Sequence, residues 1–179
     1  MSHEQLESLR FPIGKLVRKD SYTTEEIKAN IATIRNLPNM LSEAVSILDD
    51  AQLDTTYRDG GWTIRQVVHH LADSHLNSFI RLRLALTEDH PTIKPYDENT
   101  WAELIDAKNA PVELSLAILD GLHERWALLL ESLTKEQLLR TFNHPESGRW
   151  TVEDNLGMYA WHSRHHLAHI TNLIEREGW

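Results

Sequence analysis

Trp161-His162-Ser163-Arg164-His165-His166-Leu167-Ala168-His169 places four of the chain's 11 histidines in eight residues. Imidazole is the commonest protein ligand for zinc, nickel and iron, and histidines at i and i+4 lie one above the other on a helix, close enough to grip one ion. A second group stands in Val67-Val68-His69-His70-Leu71-Ala72-Asp73-Ser74-His75. There is no cysteine, which excludes thiolate zinc sites, thiol nucleophiles and iron–sulfur clusters and leaves His and carboxylates as ligands.

Wheel arithmetic ranks these rings. The apolar stripe of the last helical segment, Val152, Leu156, Tyr159, Ile170, Leu173 and Ile174, takes in His166; His162 sits at its edge, His169 farther round, and His165 farthest toward solvent. A site inside a bundle needs inward-facing side chains, so His162 with His166 is the best pair and His162 with His169 a poorer one. In the other group His70 flanks the apolar face and is the third ligand, His69 points away, and His75 reads as a hydrogen-bonded core ring. Three imidazoles from two helices leave a coordination position open, as in catalytic zinc sites. His3, His90, His123 and His144 read as surface residues. The His-Glu-x-x-His pattern of zinc proteases is missing, because Ser163 follows His162. Asp73 can orient an imidazole or simply be a helix-surface carboxylate, and no general base is assigned.

Positioning these rings requires helices. Four long segments carry apolar residues at helical spacing, which predicts an all-α four-helix bundle with a long crossover loop, in one domain spanning 1–179. The first runs over Thr24 to Asp50 with Pro38 predicting a bend. The second follows Gly60-Gly61-Trp62, with Thr63 as cap and Gln66 reaching back, and ends between Thr87 and His90. Residues 89–109 form the crossover, with a turn of helix from Trp101 to Ile105. The third helix starts near Pro111 with the stripe Leu114, Ile118, Leu122, Trp126, Leu129 and Leu133. Residues 134–139 add a short helix, Thr141 to Arg149 is a loop, and Thr151 caps the fourth helix. Gly-Trp-Thr-Ile at 61–64 and Arg-Trp-Thr-Val at 149–152 are a faint echo, too short for a repeat.

The formal charge of −9 and the lack of any basic run argue against nucleic acid as a partner. No stretch approaches the roughly 20 apolar residues of a membrane span, and the N-terminus lacks the pattern of a secretion signal. A cytoplasmic protein is expected.

Tyr57-Arg58-Asp59-Gly60-Gly61-Trp62-Thr63, His70-Leu71-Ala72-Asp73-Ser74-His75, Pro95-Tyr96-Asp97 and the segment from Trp161 to His169 together resemble the YfiT-like branch of the DinB superfamily, over nearly the whole chain. The resemblance implies a four-helix bundle, a homodimer, and one divalent metal per subunit, zinc or nickel, held by His70, His162 and His166. It implies a metal-dependent hydrolase of a small-molecule substrate. The alternatives are a transferase that joins bacillithiol or a similar thiol to an electrophile, and a non-catalytic metal-binding stress-response module. Bacillithiol is anionic, so Arg65, Arg81, Arg83, Lys94 and Arg164 are its candidate partners, and Tyr96 and Trp101 of the crossover are placed to cover the site.

Overall fold

A computed structural model describes residues 3–179. In chain order the elements are α1 (His3–Arg10), α2 (Thr24–Val45), α3 (Asp50–Leu53), α4 (Ile64–Thr87), α5 (Glu98–Ala102), α6 (Ile105–Asn109), α7 (Val112–Glu131), α8 (Lys135–Leu138), β1 (Thr141–His144), β2 (Gly148–Thr151) and α9 (Val152–Glu177). The four long helices α2, α4, α7 and α9 form the bundle. Each of α2 and α4 packs against both α7 and α9, so α2 lies diagonal to α4.

Local chemistry fixes where the long helices begin. Thr23, Thr63 and Thr151 each accept a hydrogen bond from a backbone N–H three residues on, and the side chains of Glu26, Gln66 and Asp154 reach back to close the capping box. The echo at 61–64 and 149–152 is therefore a shared way of starting a helix. The first long helix continues through Pro38 but stops at Val45, short of Asp50, because Asp49 starts α3 with a capping box of its own. The crossover contains two short helices, α5 and α6, where a single turn was expected.

Two further expectations fail. Residues 141–151 are a β-hairpin rather than a loop: Thr141 pairs with Thr151 and His144 with Gly148, whose φ of 78° closes the turn. In α7, Leu114 and Ile118 are exposed while Val112, Ser115, Leu119 and His123 are buried. That helix is apolar over most of its circumference, so periodicity alone does not choose which stripe faces inward.

The core divides into two apolar clusters. One gathers Ile34, Phe79, Trp126 and Tyr159; the other gathers Leu37, Leu41, Leu71, Leu119 and Ile170. Along α4 and α9 the polar residues Ser74, His75, Ser78, Ser163 and His166 are buried and His162 is partly buried. Buried polar groups of this kind must find hydrogen bonds, and that requirement shapes the site.

Candidate metal centre

His70 of α4 and His162 and His166 of α9 come together, each offering a ring nitrogen within 4.8 Å of the others. His70 Nε2 and His162 Nε2 are 3.2 Å apart. Two nitrogens sharing a tetrahedral ion at about 2.0–2.1 Å lie roughly 3.3 Å from each other, so the spacing fits a metal. Burial lowers the pKa of all three rings, that of His70 to about 4, and the neighbouring histidines push the other two down further. All three are therefore neutral at neutral pH, the form that binds metal.

Two hydrogen-bond chains decide which nitrogen His162 and His166 present to the cavity. A backbone carbonyl can only accept, so His123 Nδ1–H donates to the Ile34 carbonyl at 2.6 Å. In a neutral ring the other nitrogen must then accept. His123 Nε2 takes the His75 Nδ1 proton at 2.8 Å, and His75 Nε2 takes the His162 Nδ1 proton at 3.0 Å. The cavity-facing Nε2 of His162 is left with a free lone pair. On the other side, His169 Nε2–H donates to the Arg10 carbonyl at 3.2 Å, and His169 Nδ1 accepts from His166 Nδ1–H at 3.3 Å. His166 likewise presents Nε2. Ligand histidines are commonly held by such outer partners.

A competing triad, His165, His166 and His169, also lies within 4.8 Å. Its His166 and His169 Nδ1 atoms are hydrogen-bonded to each other, and His169 Nε2 is anchored to the Arg10 carbonyl, so His169 holds His166 in place. His165 is buried where solvent was expected. It stacks on Trp161 at 4.4 Å and is covered by Phe11, so the segment after α1 closes a face that the helix alone would leave open.

The remaining histidines sort by contact. His69 does not point away: it is buried, with Nδ1 2.7 Å from Ser115 Oγ and Nε2 3.1 Å from the Ala110 carbonyl. His123, expected at the surface, is fully buried, and His144 lines the site cavity. His75 is the hydrogen-bonded core ring that its position on α4 suggested. Asp73 lies apart from the three rings; burial and nearby Asp106 raise its pKa to about 6.

The triad opens into a cavity of about 500 Å³. Trp62 packs on His70 with ring centroids 4.6 Å apart, Gly60 and Gly61 form the adjoining turn, and Tyr96 with Pro95 brings the crossover to the wall. Trp101 supports Tyr96 from behind at 4.5 Å. Of the five cations singled out from the sequence, only Arg81 lines the cavity. Arg65 is paired with Asp50 and Asp54, Arg83 lies over Phe79, Lys94 is exposed, and Arg164 reaches Thr33. Arg10 and Arg58, which helix patterning gave no reason to select, are also on the wall.

Comparison with known proteins places this geometry in a lineage. The family model described as DinB superfamily matches residues 33–170. A Bacillus cereus (strain B4264) protein named "Putative metal-dependent hydrolase BCB4264_A2719" is 56% identical over 97% of this chain and all of its own length. A Bacillus mycoides protein named "Putative metal-dependent hydrolase BcerKBAB4_2443" is 55% identical with the same coverage. The solved structure of YfiT from Bacillus subtilis, described as "a probable metal-dependent hydrolase with an unusual four-helix bundle topology", superposes with a TM-score of 0.94 at 51% identity, covering 96% of this chain and 99% of that one.

Proposed function

The chain belongs to the DinB superfamily, and on that premise we propose that it is a metal-dependent hydrolase of a small-molecule substrate, with His70, His162 and His166 holding one divalent ion. The observation that carries this reading is the convergence of three neutral ring nitrogens at the wall of an open cavity. Three imidazoles without a thiolate suit zinc first and nickel second. Such an ion supplies the positive charge that makes a weakly acidic nucleophile reactive near neutral pH.

The chain's own residues do the rest. His75 and His169 hold the Nδ1 protons of His162 and His166, which keeps the cavity-facing nitrogens unprotonated and the rings fixed. Trp62 and Tyr96 narrow the approach, and the walls admit a small molecule rather than a polymer.

The thiol-transferase alternative draws on the same centre, and Arg10, Arg58 and Arg81 on the wall favour an anionic thiol for it. One experiment separates the two. Zinc-loaded protein is offered a panel of small esters and amides, and in parallel a low-molecular-weight thiol with an electrophile. Hydrolysis that needs no thiol and disappears in His162→Ala supports the proposal; turnover seen only with thiol present moves the reading to the transferase. Hydrolysis that survives metal removal overturns both.

A further inference from the structure

Among the described residues Arg81 is a buried cation without an ion pair. Its side chain is 8% exposed. Its Nε–H has given up water without gaining an acceptor, which is costly, and its terminal nitrogens have no protein acceptor among the described residues and face the cavity. Its counterpart Arg65, equally buried on the same helix, shows the usual solution: Asp50, Asp54 and the Ala110 carbonyl all accept from it. The contrast places the missing partner of Arg81 outside the polypeptide. The cavity that Arg81 lines is the one into which His70, His162 and His166 open.

We infer that Arg81 is the anchor of a carboxylate-binding subsite, and that the substrate is a small carboxylic acid whose charged end sits on Arg81 while its other end reaches the three histidines. This deepens the proposed function and rests on it for the reaction, though the subsite itself does not. The planar fork of a guanidinium matches the two oxygens of a carboxylate. The wall carries Arg10, Arg58 and Arg81 against Glu98 and Glu146, a balance of one positive charge, which a singly charged carboxylate meets and a phosphate dianion exceeds.

Position sets the size of the ligand. Arg81 follows His70 by eleven residues, about three turns of α4, and its side chain leans back toward the helix N-terminus. The charged group is thus held on the order of 10 Å from the triad, the length of a short molecule several bonds long. Tyr159 and Tyr96 line the intervening wall and supply apolar ring surface with a hydroxyl at its edge.

The test is titration of metal-stripped protein at pH 8 with hexanoate, hexanamide and inorganic phosphate, by calorimetry and by following the Arg81 Nε–H resonance in ¹⁵N NMR spectra. Hexanoate is expected to bind and shift that resonance, hexanamide is not, and R81Q is expected to weaken hexanoate by roughly tenfold to a hundredfold without lowering the melting temperature. The wild-type resonance carries the test if R81Q does not fold. The subsite is overturned if hexanoate fails to bind, if acid and amide bind alike, if R81Q is without effect, or if phosphate is preferred. Because the protein is metal-free, none of these outcomes depends on the hydrolase reading; hydrolysis of neutral esters with no preference for a carboxylate would leave that reading in place and remove this one.

Discussion

His75 Nε2 stands 3.0 Å from His162 Nδ1, and through that contact the ring state of His162 is set by a backbone carbonyl two imidazoles away, that of Ile34. Of the three rings only His162 lines the cavity; His75 and His123 are fully buried. Replacing His75 by Leu removes the acceptor for His162 Nδ1–H and frees the ring to rotate or change tautomer. Zinc affinity, measured by competition with a chromogenic chelator, is expected to fall by about 10–100-fold with helix content retained. Unchanged affinity would mean that the chain of rings has no part in presenting Nε2.

His169 and His165 differ in what they hold: His169 accepts from His166, and His165 stacks on Trp161. His169→Ala deprives His166 of its acceptor and is expected to weaken zinc by a similar factor of about 10–100. His165→Ala is expected to leave zinc stoichiometry at one ion per chain. A second equivalent of tightly bound zinc in the wild type, lost in His165→Ala, would instead make the His165, His166 and His169 cluster a site of its own.

Acid should unfold the metal-free protein early. Burial lowers the pKa of His123 to about 4 from an ordinary 6.5, and that of His75 well below 6.5. The unfolded chain takes up protons near pH 6.5 while the folded one refuses them until about pH 4, so stability is full above 6.5 and drains away as pH falls toward 4. Asp73 acts with the opposite sign. Its folded pKa is raised to about 6 from 3.8, so its contribution is present below 3.8 and lost as pH rises through 6. Denaturant midpoints should fall from pH 7 to pH 4, and Asp73→Asn should stabilise at pH 7 but not at pH 3.5. A flat profile across that range would contradict the buried neutral histidines.

Much of this was legible because a helix is a regular object. That His70, His162 and His166 meet follows from the wheel positions of two helices, and Thr63 and Thr151 announced where those helices begin. What stayed hidden depends on segments that meet only in three dimensions. His165 faces solvent on its own helix and is buried by Phe11, and His123 looks like one polar residue on α7 until Ile34 and His75 close on it. The hairpin at 141–151 has strands of four residues, too short to alternate visibly, with Pro145 and Gly148 reading as loop. Arg10 and Arg58 reach the cavity from the end of α1 and from a turn, where no periodicity points.

Gly157 makes a close approach to the ring of Tyr22. A Cβ added at Gly157 of α9 would stand 2.6 Å from Tyr22 Cζ and 2.8 Å from Cε1, well inside van der Waals contact. Gly157→Ala should therefore destabilise by about 1–3 kcal/mol despite the better helix propensity of alanine. Combining it with Tyr22→Ala should recover most of the loss caused by the clash, as urea denaturation of the four proteins in the cycle would show. Additive losses would mean that Tyr22 does not pack there.

The most direct measurement is anomalous scattering from crystals grown with zinc, recorded on both sides of the zinc absorption edge. A single peak per chain is expected, about 2.0–2.1 Å from Nε2 of each of His70, His162 and His166, with density for a non-protein ligand on the cavity side. A peak bound instead by His165 and His169, or coordination of His162 or His166 through Nδ1, would contradict the three-histidine site.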